Sequence, residues 1–101
     1  MLVVAGVARI DKEHLPGVVL AARKMMEETR KEPGCVSYSF AMDLLDDSVI
    51  RIFEEWDSAE ALQAHFRTSH MAEFQKTLAG LNLQEMSVQH YEVAQVAPLR
   101  A

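Results

Sequence analysis

The amino-acid sequence predicts an α+β fold in which four antiparallel β-strands carry helices on one face, and three observations predict it. The chain has 101 residues, which is the usual length of one domain. Half of the residues are hydrophobic and a quarter are charged, as in ordinary globular proteins. Strand-like and helix-like segments follow one another in the order β-α-β-β-α-β, without repeats or linkers. This order is typical of the ferredoxin-like arrangement, and we expect residues 1–101 to form a single domain.

The first half of the chain supplies a strand, a helix and a second strand. Leu2–Ile10 is rich in valine and has apolar residues in both alternating positions, which indicates a strand covered on two faces. After a cap at Asp11, apolar residues recur at helical spacing to about Lys31, and Pro33-Gly34 ends the helix. Cys35–Met42 alternates as the second strand. One face of this strand carries Val36, Tyr38, Phe40 and Met42.

The second half supplies the third strand, a broken second helix and the last strand. Ser48–Trp56 repeats the β pattern and closes an antiparallel hairpin with the second strand. Asp57 resembles the first residue of a capping box and opens the second helix. The helical pattern is interrupted before Ser69, which can cap a second helical piece that ends near Gly80. The β pattern returns over Met86–Val96.

Composition and charge exclude several classes of function. Ten basic residues against fifteen acidic ones give a net charge of -5, and the basic residues are scattered, so nucleic acid is a poor partner. The longest apolar stretch, Leu2–Ala8, is far shorter than the roughly 20 residues that span a membrane. The single cysteine, Cys35, cannot form an internal disulfide, and we expect a cytoplasmic protein. The four histidines lack a metal-ligand spacing and no nucleotide or flavin motif is present, so we expect no metal and no cofactor.

The predicted arrangement leaves one face of the sheet uncovered. The helices cover one face only, whereas the first three strands carry apolar residues on both faces. A second sheet from an identical chain would cover the bare face most economically. We therefore expect a homodimer with its two sheets face to face, and the alternative is a monomer with a modest apolar patch.

Four side chains are candidates for chemistry because of their positions. His65 follows Leu62 by three residues and lies at the edge of the helical stripe that should face the sheet. An imidazole there could move a proton at neutral pH, or it could simply bond to a strand carbonyl. Tyr38 and Phe40 share a strand face, and Trp56 ends the hairpin just before the helix that bears His65. These rings would either surround one pocket or form ordinary core.

Two segments resemble a known family. Phe53–Phe74, which reads FEEWDSAEALQAHFRTSHMAEF, resembles the signature of the antibiotic biosynthesis monooxygenase (ABM) domain family. Glu32–Phe40, which reads EPGCVSYSF, resembles the helix-to-second-strand segment of that family. With the order of elements, the resemblance covers almost the whole chain. It implies a dimeric α/β barrel of ferredoxin-like subunits, each with a small-molecule pocket between sheet and helices.

The resemblance also implies a chemistry. Characterised members of the family include oxygenases that convert aromatic phenols or quinols to quinones with O2, without metal, flavin or haem. By this resemblance the chain is a cofactor-independent monooxygenase in which a histidine deprotonates the substrate inside an apolar pocket. The resemblance implies His65 and His70 as catalytic residues and Trp56 as a substrate-binding residue, because these three occupy motif positions. The predicted strand and helix phases add Tyr38 to the catalytic group and Phe40, Phe66 and Met71 to the substrate-binding group.

Other branches of the superfamily leave two alternatives open. Haem-degrading members use a histidine further along the second helix, where this chain reads Ala72-Glu73-Phe74-Gln75, so haem binding is disfavoured. A second branch resembles the isomerase that processes a phosphorylated autoinducer sugar and needs no oxygen. Its ligand would require basic residues, for which the candidates are Arg9, Arg51 and Arg67. The other alternative is a non-catalytic dimer that binds a small molecule.

Overall fold

The strands and helices follow one another in the order that the sequence predicts. A computed structural model describes residues 1–81, 83 and 85–100 of the chain. The strands are β1 (Leu2–Arg9), β2 (Cys35–Met42), β3 (Val49–Trp56) and β4 (Glu85–Glu92). The helices are α1 (Leu15–Thr29), α2 (Ala59–Phe66) and α3 (Ser69–Ala79), and a 3-10 turn over Lys12–His14 precedes α1. Within the described ranges, no helix has the length and hydropathy needed to cross a bilayer.

The four strands form one antiparallel sheet in the order β2-β3-β1-β4. The predicted ferredoxin-like α+β fold is thereby confirmed. The register places Tyr38 opposite Glu54 and Glu54 opposite Val4, so these side chains form a row across three strands. Val4 and Tyr38 pack with Met25 of α1 and Leu62 of α2 in the main core, which identifies the face covered by the helices.

A β-bulge changes the predicted alternation of β2. Cys35 pairs with Trp56 and Ser37 pairs with the preceding residue of β3, so Val36 is the extra residue. Val36 is exposed, whereas Cys35 packs against the core that contains Tyr38. The prediction that Val36 shares a face with Tyr38 is therefore wrong, because one inserted residue moves its neighbours to the opposite face.

Both caps of the broken helix lie one residue away from their predicted positions. Ser58, not Asp57, caps α2, and its Oγ accepts a hydrogen bond from the Ala61 amide at 3.1 Å. Thr68 caps α3, and its Oγ1 accepts from the Met71 amide at 3.2 Å. Each cap residue has an extended backbone, which aims its side-chain oxygen at the free amides of the first turn.

The first helix and the last strand are also shorter than the sequence predicts. The first helix begins at Leu15 after the 3-10 turn, and the Asp11 side chain makes no capping hydrogen bond there. The same helix ends at Thr29 rather than near Lys31. The last strand ends at Glu92, because its ladder with β1 reaches the start of that strand at this point. The apolar residues at positions 93 and 96 therefore lie outside the sheet.

The face of the sheet opposite the helices is open in the single chain. Phe53 of β3 and Tyr91 of β4 are each about half exposed. Ala5 and Val7 of β1 lie beside them on this face. All eight residues of β4 are exposed. An apolar surface of this kind on a soluble chain is typical of an interaction surface.

Candidate functional site

One carboxylate, that of Glu32, joins two histidines. Its Oε2 atom lies 2.8 Å from Nδ1 of His65 and 2.6 Å from Nε2 of His70. The side chains are largely buried, with 12%, 1% and 16% of their surfaces exposed for Glu32, His65 and His70 respectively. An ionised carboxylate only accepts hydrogen bonds, so both facing ring nitrogens donate to it. In this tautomer the other nitrogen of each neutral ring carries the lone pair.

A glycine in the loop between α1 and β2 allows Glu32 to reach the histidines. Gly34 has a φ of +84°, and a Cβ there would lie 2.6 Å from both Ala61 Cβ and Asp57 Oδ1. The Gly34 carbonyl accepts a hydrogen bond from the Asp57 amide at 2.9 Å. The absence of a side chain lets this loop pack directly against the start of α2. Glu32, two residues earlier, is thereby set beside His65.

The bend between α2 and α3 places both imidazoles on the same side. Thr68 Oγ1 donates a hydrogen bond to the His65 carbonyl at 2.8 Å while it caps α3. This bond ties the end of α2 to the beginning of α3 and replaces the helical bonds lost at the break. The His65 and His70 ring centroids are 6.1 Å apart.

Aromatic side chains surround His65. Its ring centroid lies 4.9 Å from that of Trp56, 5.4 Å from Tyr38 and 5.8 Å from Phe66. The imidazole therefore lies inside the molecule, and it is hydrogen-bonded to the Glu32 carboxylate rather than to a strand carbonyl. Packed rings of this kind exclude water and strengthen the hydrogen bonds beside them.

A second buried carboxyl lies on the same side of the sheet. Glu54 Oε1 accepts a hydrogen bond from Trp56 Nε1 at 2.9 Å, so the indole N–H is already used within the protein. Burial raises the pKa of Glu54 to about 7, against the hydrogen bond from Trp56 and with a smaller contribution from the charge of Glu32. Glu54 therefore changes its charge near neutral pH.

Burial also raises the pKa of the Tyr38 phenol far above its ordinary value, and the negative charges of Glu54 and Glu32 add to this effect. The phenol consequently keeps its proton throughout the physiological pH range. Tyr38 can support the His65 ring by packing and can donate a hydrogen bond, but it is not a base.

His70 connects the buried group to an open groove. A groove of about 370 Å³ between α1 and α3 is lined by His70 together with Met25, Phe74, Lys24 and Lys76. Lys24 Nζ forms an ion pair across it with Glu73 Oε2 at 2.9 Å. His70 is the more exposed of the two histidines and the one that lines the groove.

Phe74 separates this groove from the interior. It lines the groove and also a small apolar cavity of about 30 Å³ between the helices and the sheet. Its ring stacks on Phe40, with centroids 5.6 Å apart, and Phe40 lines the same inner cavity. A ring that enters from the groove would therefore meet an aromatic pair beside His70.

The predicted site residues are only partly brought together. His65, His70, Tyr38 and Trp56 lie within one cluster, and Met71 is partly buried against it. Phe66 is 55% exposed, so it covers the edge of His65 from outside instead of lining an interior pocket. The reason is that His65 itself takes the inward position at the end of this short helix.

Two of the three candidate phosphate-binding arginines pair with aspartates outside the site. Arg9 forms an ion pair with Asp46 at 2.8 Å, and Arg51 pairs with Asp43 at 2.9 Å. Arg67 is exposed at the end of α2. The cations that do lie near a histidine are the groove lysines, which sequence reasoning did not single out.

Sequence reasoning also missed Glu32 and Phe74 as site residues. Phe74 ends the motif segment and falls on the apolar stripe of its helix, which was a usable signal. Glu32 begins the family-like segment Glu32–Phe40, which was its signal, but its position after the end of a helix does not predict where its side chain points.

Comparison with protein-family models identifies one match. The model described as "Antibiotic biosynthesis monooxygenase" matches residues 1–77. The matched segment contains Glu32, His65, His70 and Phe74.

Three curated relatives align with much of the chain. The uncharacterized protein sll1783 of Synechocystis is 31% identical over 98 residues, which cover 97% of this chain and 67% of that protein. YjcS of Bacillus subtilis, also uncharacterized, is 30% identical over 66% of this chain and 64% of its own length. The chain thus spans about two thirds of the length of these two relatives. YgiN of Escherichia coli K12, named a probable quinol monooxygenase, is 28% identical over 79% of this chain and 84% of its own.

Solved structures share the fold. A crystal structure from Deinococcus radiodurans superposes with a TM-score of 0.92 over the full length of both chains at 23% identity, which shows the fold alone. A second crystal structure, described as an antibiotic biosynthesis monooxygenase, has a TM-score of 0.85 at 27% identity and covers 94% of this chain and all of its own.

Proposed function

The chain belongs to the antibiotic biosynthesis monooxygenase family, and from this premise we propose that it acts, as one domain over residues 1–101, as a cofactor-independent monooxygenase of a small phenol or quinol. The observation that carries the proposal is the pair of imidazoles held by Glu32, with His70 facing a groove. The name of the relative YgiN, a probable quinol monooxygenase, supports the same class of substrate.

The reaction needs a proton acceptor and a dry site more than it needs a cofactor. A bound phenol or quinol that loses its proton becomes a strong reductant and can pass one electron to O2. The resulting radical pair combines at a ring carbon to give a peroxide anion, which takes back the proton from the base. The hydroperoxide then loses water, with the second hydrogen leaving the same carbon. For a substrate SH2 the balance is SH2 + O2 → S=O + H2O, so the substrate supplies all four electrons. The protein has to orient the ring, take the first proton and exclude water.

His70 is the residue placed to accept that proton. Its Nε2–H is held by Glu32, so its Nδ1 is available as the base. The imidazolium formed would be stabilised by the adjacent carboxylate, as in other carboxylate–histidine pairs. His65 binds the same carboxylate oxygen from the buried side and fixes its position. We assign His70 as the base and His65 and Glu32 as positioning residues.

The aromatic residues would bind the substrate ring and keep the group in place. Phe74 and Phe40 form a stacked pair between the groove and the inner cavity, and we propose that the substrate ring packs beside them. Tyr38 and Trp56 pack on His65 and are buried, so their role is to hold the imidazole rather than to contact substrate. Met71 supports the same cluster.

We also propose that the active form is a homodimer. Phe53 and Tyr91 are half exposed beside Ala5 and Val7 on the open face of the sheet, and a second copy would cover this apolar surface. The helices and the Glu32 site lie on the other face, so each subunit would keep its own groove.

Oxygen consumption tests the proposed function. Purified protein is mixed with a panel of hydroquinones and anthrones in the presence of a metal chelator, and O2 uptake is followed with an electrode. The proposal predicts uptake by the natural protein and little uptake by the His70→Ala variant. No uptake with any member of the panel would contradict it.

An isomerase of a phosphorylated carbonyl compound is the second candidate, and the groove lysines favour it. Lys24 and Lys76 line the same groove as His70, and a phosphate-bearing ligand could bind Lys76 and compete with Glu73 for Lys24. Thermal unfolding separates the two functions, because a ligand that binds the folded state raises the melting temperature. A shift with phosphosugars but not with hydroquinones would favour the isomerase. A shift with either class but no turnover would favour a binding protein without catalysis.

A further inference from the structure

The Glu32 cluster also has the composition of a metal site. The Glu32 carboxylate, Nδ1 of His65 and Nε2 of His70 all lie within 4.8 Å of one another. Two imidazole nitrogens and one carboxylate oxygen are a common ligand set for Zn²⁺ and neighbouring transition-metal ions. The geometry points to a binding site for one divalent transition-metal ion at these three side chains.

The distances allow an ion to be inserted with small movements. Zn²⁺ lies about 2.0–2.2 Å from such ligands, which places two ligands of a tetrahedral ion about 3.4 Å apart. The two nitrogen–oxygen distances are now 2.8 and 2.6 Å, so they have to lengthen by about 0.6 and 0.8 Å. His65 is fixed by packing, but His70 and Glu32 are less buried and can make this adjustment by side-chain rotation.

The protons also balance. A neutral imidazole binds metal through its unprotonated nitrogen, so each ring has to carry its proton on the nitrogen that faces away from Glu32. No net proton is lost when both rings are neutral, and the ion takes the place of the two hydrogen bonds to the carboxylate. The carboxylate supplies one negative charge beside the ion.

Solvent can reach the site from two sides. His70 lines the groove of about 370 Å³ between α1 and α3, and Glu32 lines a shallow depression of about 450 Å³ beside the start of α2. Three protein ligands and an accessible fourth position are the arrangement of zinc sites that keep a water or a substrate bound. The inference goes beyond the proposed function, and a bound ion would inhibit that function by removing the acceptor nitrogen of His70 from use.

Cobalt binding tests the site, because tetrahedral Co²⁺ absorbs visible light and replaces Zn²⁺ at such ligand sets. Untagged, chelator-treated protein is titrated with Co²⁺, and the visible spectrum gives stoichiometry and geometry. We expect one Co²⁺ per chain, loss of the spectrum in His70→Ala and in Glu32→Gln, and competition by Zn²⁺. Glu32→Gln keeps the size of the side chain, so it still tests the site if His70→Ala fails to fold.

A second cluster provides the matched control. Asp11, Glu13 and His14 also offer three ligand atoms within 4.8 Å, but they lie on the surface of the 3-10 turn. The His14→Ala variant should keep the full cobalt spectrum. Absence of Co²⁺ binding by the natural protein, an unchanged spectrum in His70→Ala, or loss of the spectrum in His14→Ala would overturn the proposal. If the protein takes up O2 in the presence of chelator but binds no Co²⁺ in the titration, the metal site is wrong and the proposed function stands.

Discussion

His70 Nε2 and Glu32 Oε2 lie 2.6 Å apart although 38 positions separate the two residues in the sequence. The same oxygen lies 2.8 Å from Nδ1 of His65. A loop carboxylate thus links two helices that are joined by a sharp bend. The chemistry proposed for this chain depends on that link, since it orients the imidazole that faces the groove.

The Glu32→Gln variant should lower kcat by about 100-fold, because an amide cannot stabilise an imidazolium as a carboxylate does. The protein should remain folded, since glutamine keeps the size of the side chain and one hydrogen-bond acceptor. Steady-state O2 uptake gives kcat and KM. The control is Glu27→Gln, an exposed position on α1, which should behave as the natural protein. Equal kcat in both variants would show that Glu32 has no role in the reaction.

The two histidines should respond differently to replacement by alanine. His65→Ala removes a fully buried ring that touches Trp56 and Tyr38, so the free energy of unfolding should fall by roughly 2–4 kcal/mol. His70→Ala should cost about 1 kcal/mol or less, because the residue is partly exposed, but should abolish most turnover. Urea unfolding and O2 uptake are measured on the same preparations. His90→Ala, on exposed β4, is the control. A stable, fully active His70→Ala variant would contradict the assignment.

Glu54→Gln should change how stability depends on pH. The folded-state pKa of Glu54 is raised to about 7 from an ordinary value of 4.5, so ionisation is disfavoured in the folded chain. Stability linked to this group is therefore present below about pH 4.5 and is lost as the pH rises through 7. Relative to the natural protein, the glutamine variant should gain up to about 3 kcal/mol between pH 5 and pH 8. The free energy of unfolding is measured with urea for both proteins at pH 5 and pH 8. If the difference between variant and natural protein is the same at both pH values, the raised pKa is refuted. Glu55→Gln, on the other face of the strand, is the control.

Phe53→Glu should convert the proposed dimer into monomers. Phe53 is 44% exposed on the open face of the sheet, and a charge there would be buried without a partner if two sheets packed together. Sedimentation velocity should show a dimer for the natural protein and a monomer for the variant. Leu20→Glu is the matched control, because Leu20 is more exposed and belongs to α1 on the other side of the molecule. A natural protein that sediments as a monomer at all concentrations would contradict the dimer.

Local sequence patterns predict the fold and the site residues that lie on regular strands and helices, but not those that depend on a bulge or a loop. The period of two in β3 and the helical stripe of α2 place Trp56 and His65 on the covered face, because each pattern fixes a direction within its own element. The orientation of Val36 was mispredicted because a β-bulge depends on the pairing of two strands and is not visible in the sequence of one. The role of Glu32 was not predicted, because the packing of Gly34 against the start of α2 sets the direction of this loop side chain. The spacing of apolar residues in the sequence gives no information about that packing.

The most direct test of the central claim is the fate of isotopically labelled oxygen. The hydroquinone or anthrone that supports the fastest uptake is incubated with the protein, a chelator and ¹⁸O2, and the product is analysed by mass spectrometry. The proposed reaction predicts one ¹⁸O atom in each product molecule, formed by the natural protein and by His90→Ala but not by His70→Ala. A product that contains no ¹⁸O, or the same yield of labelled product from His70→Ala, would contradict it.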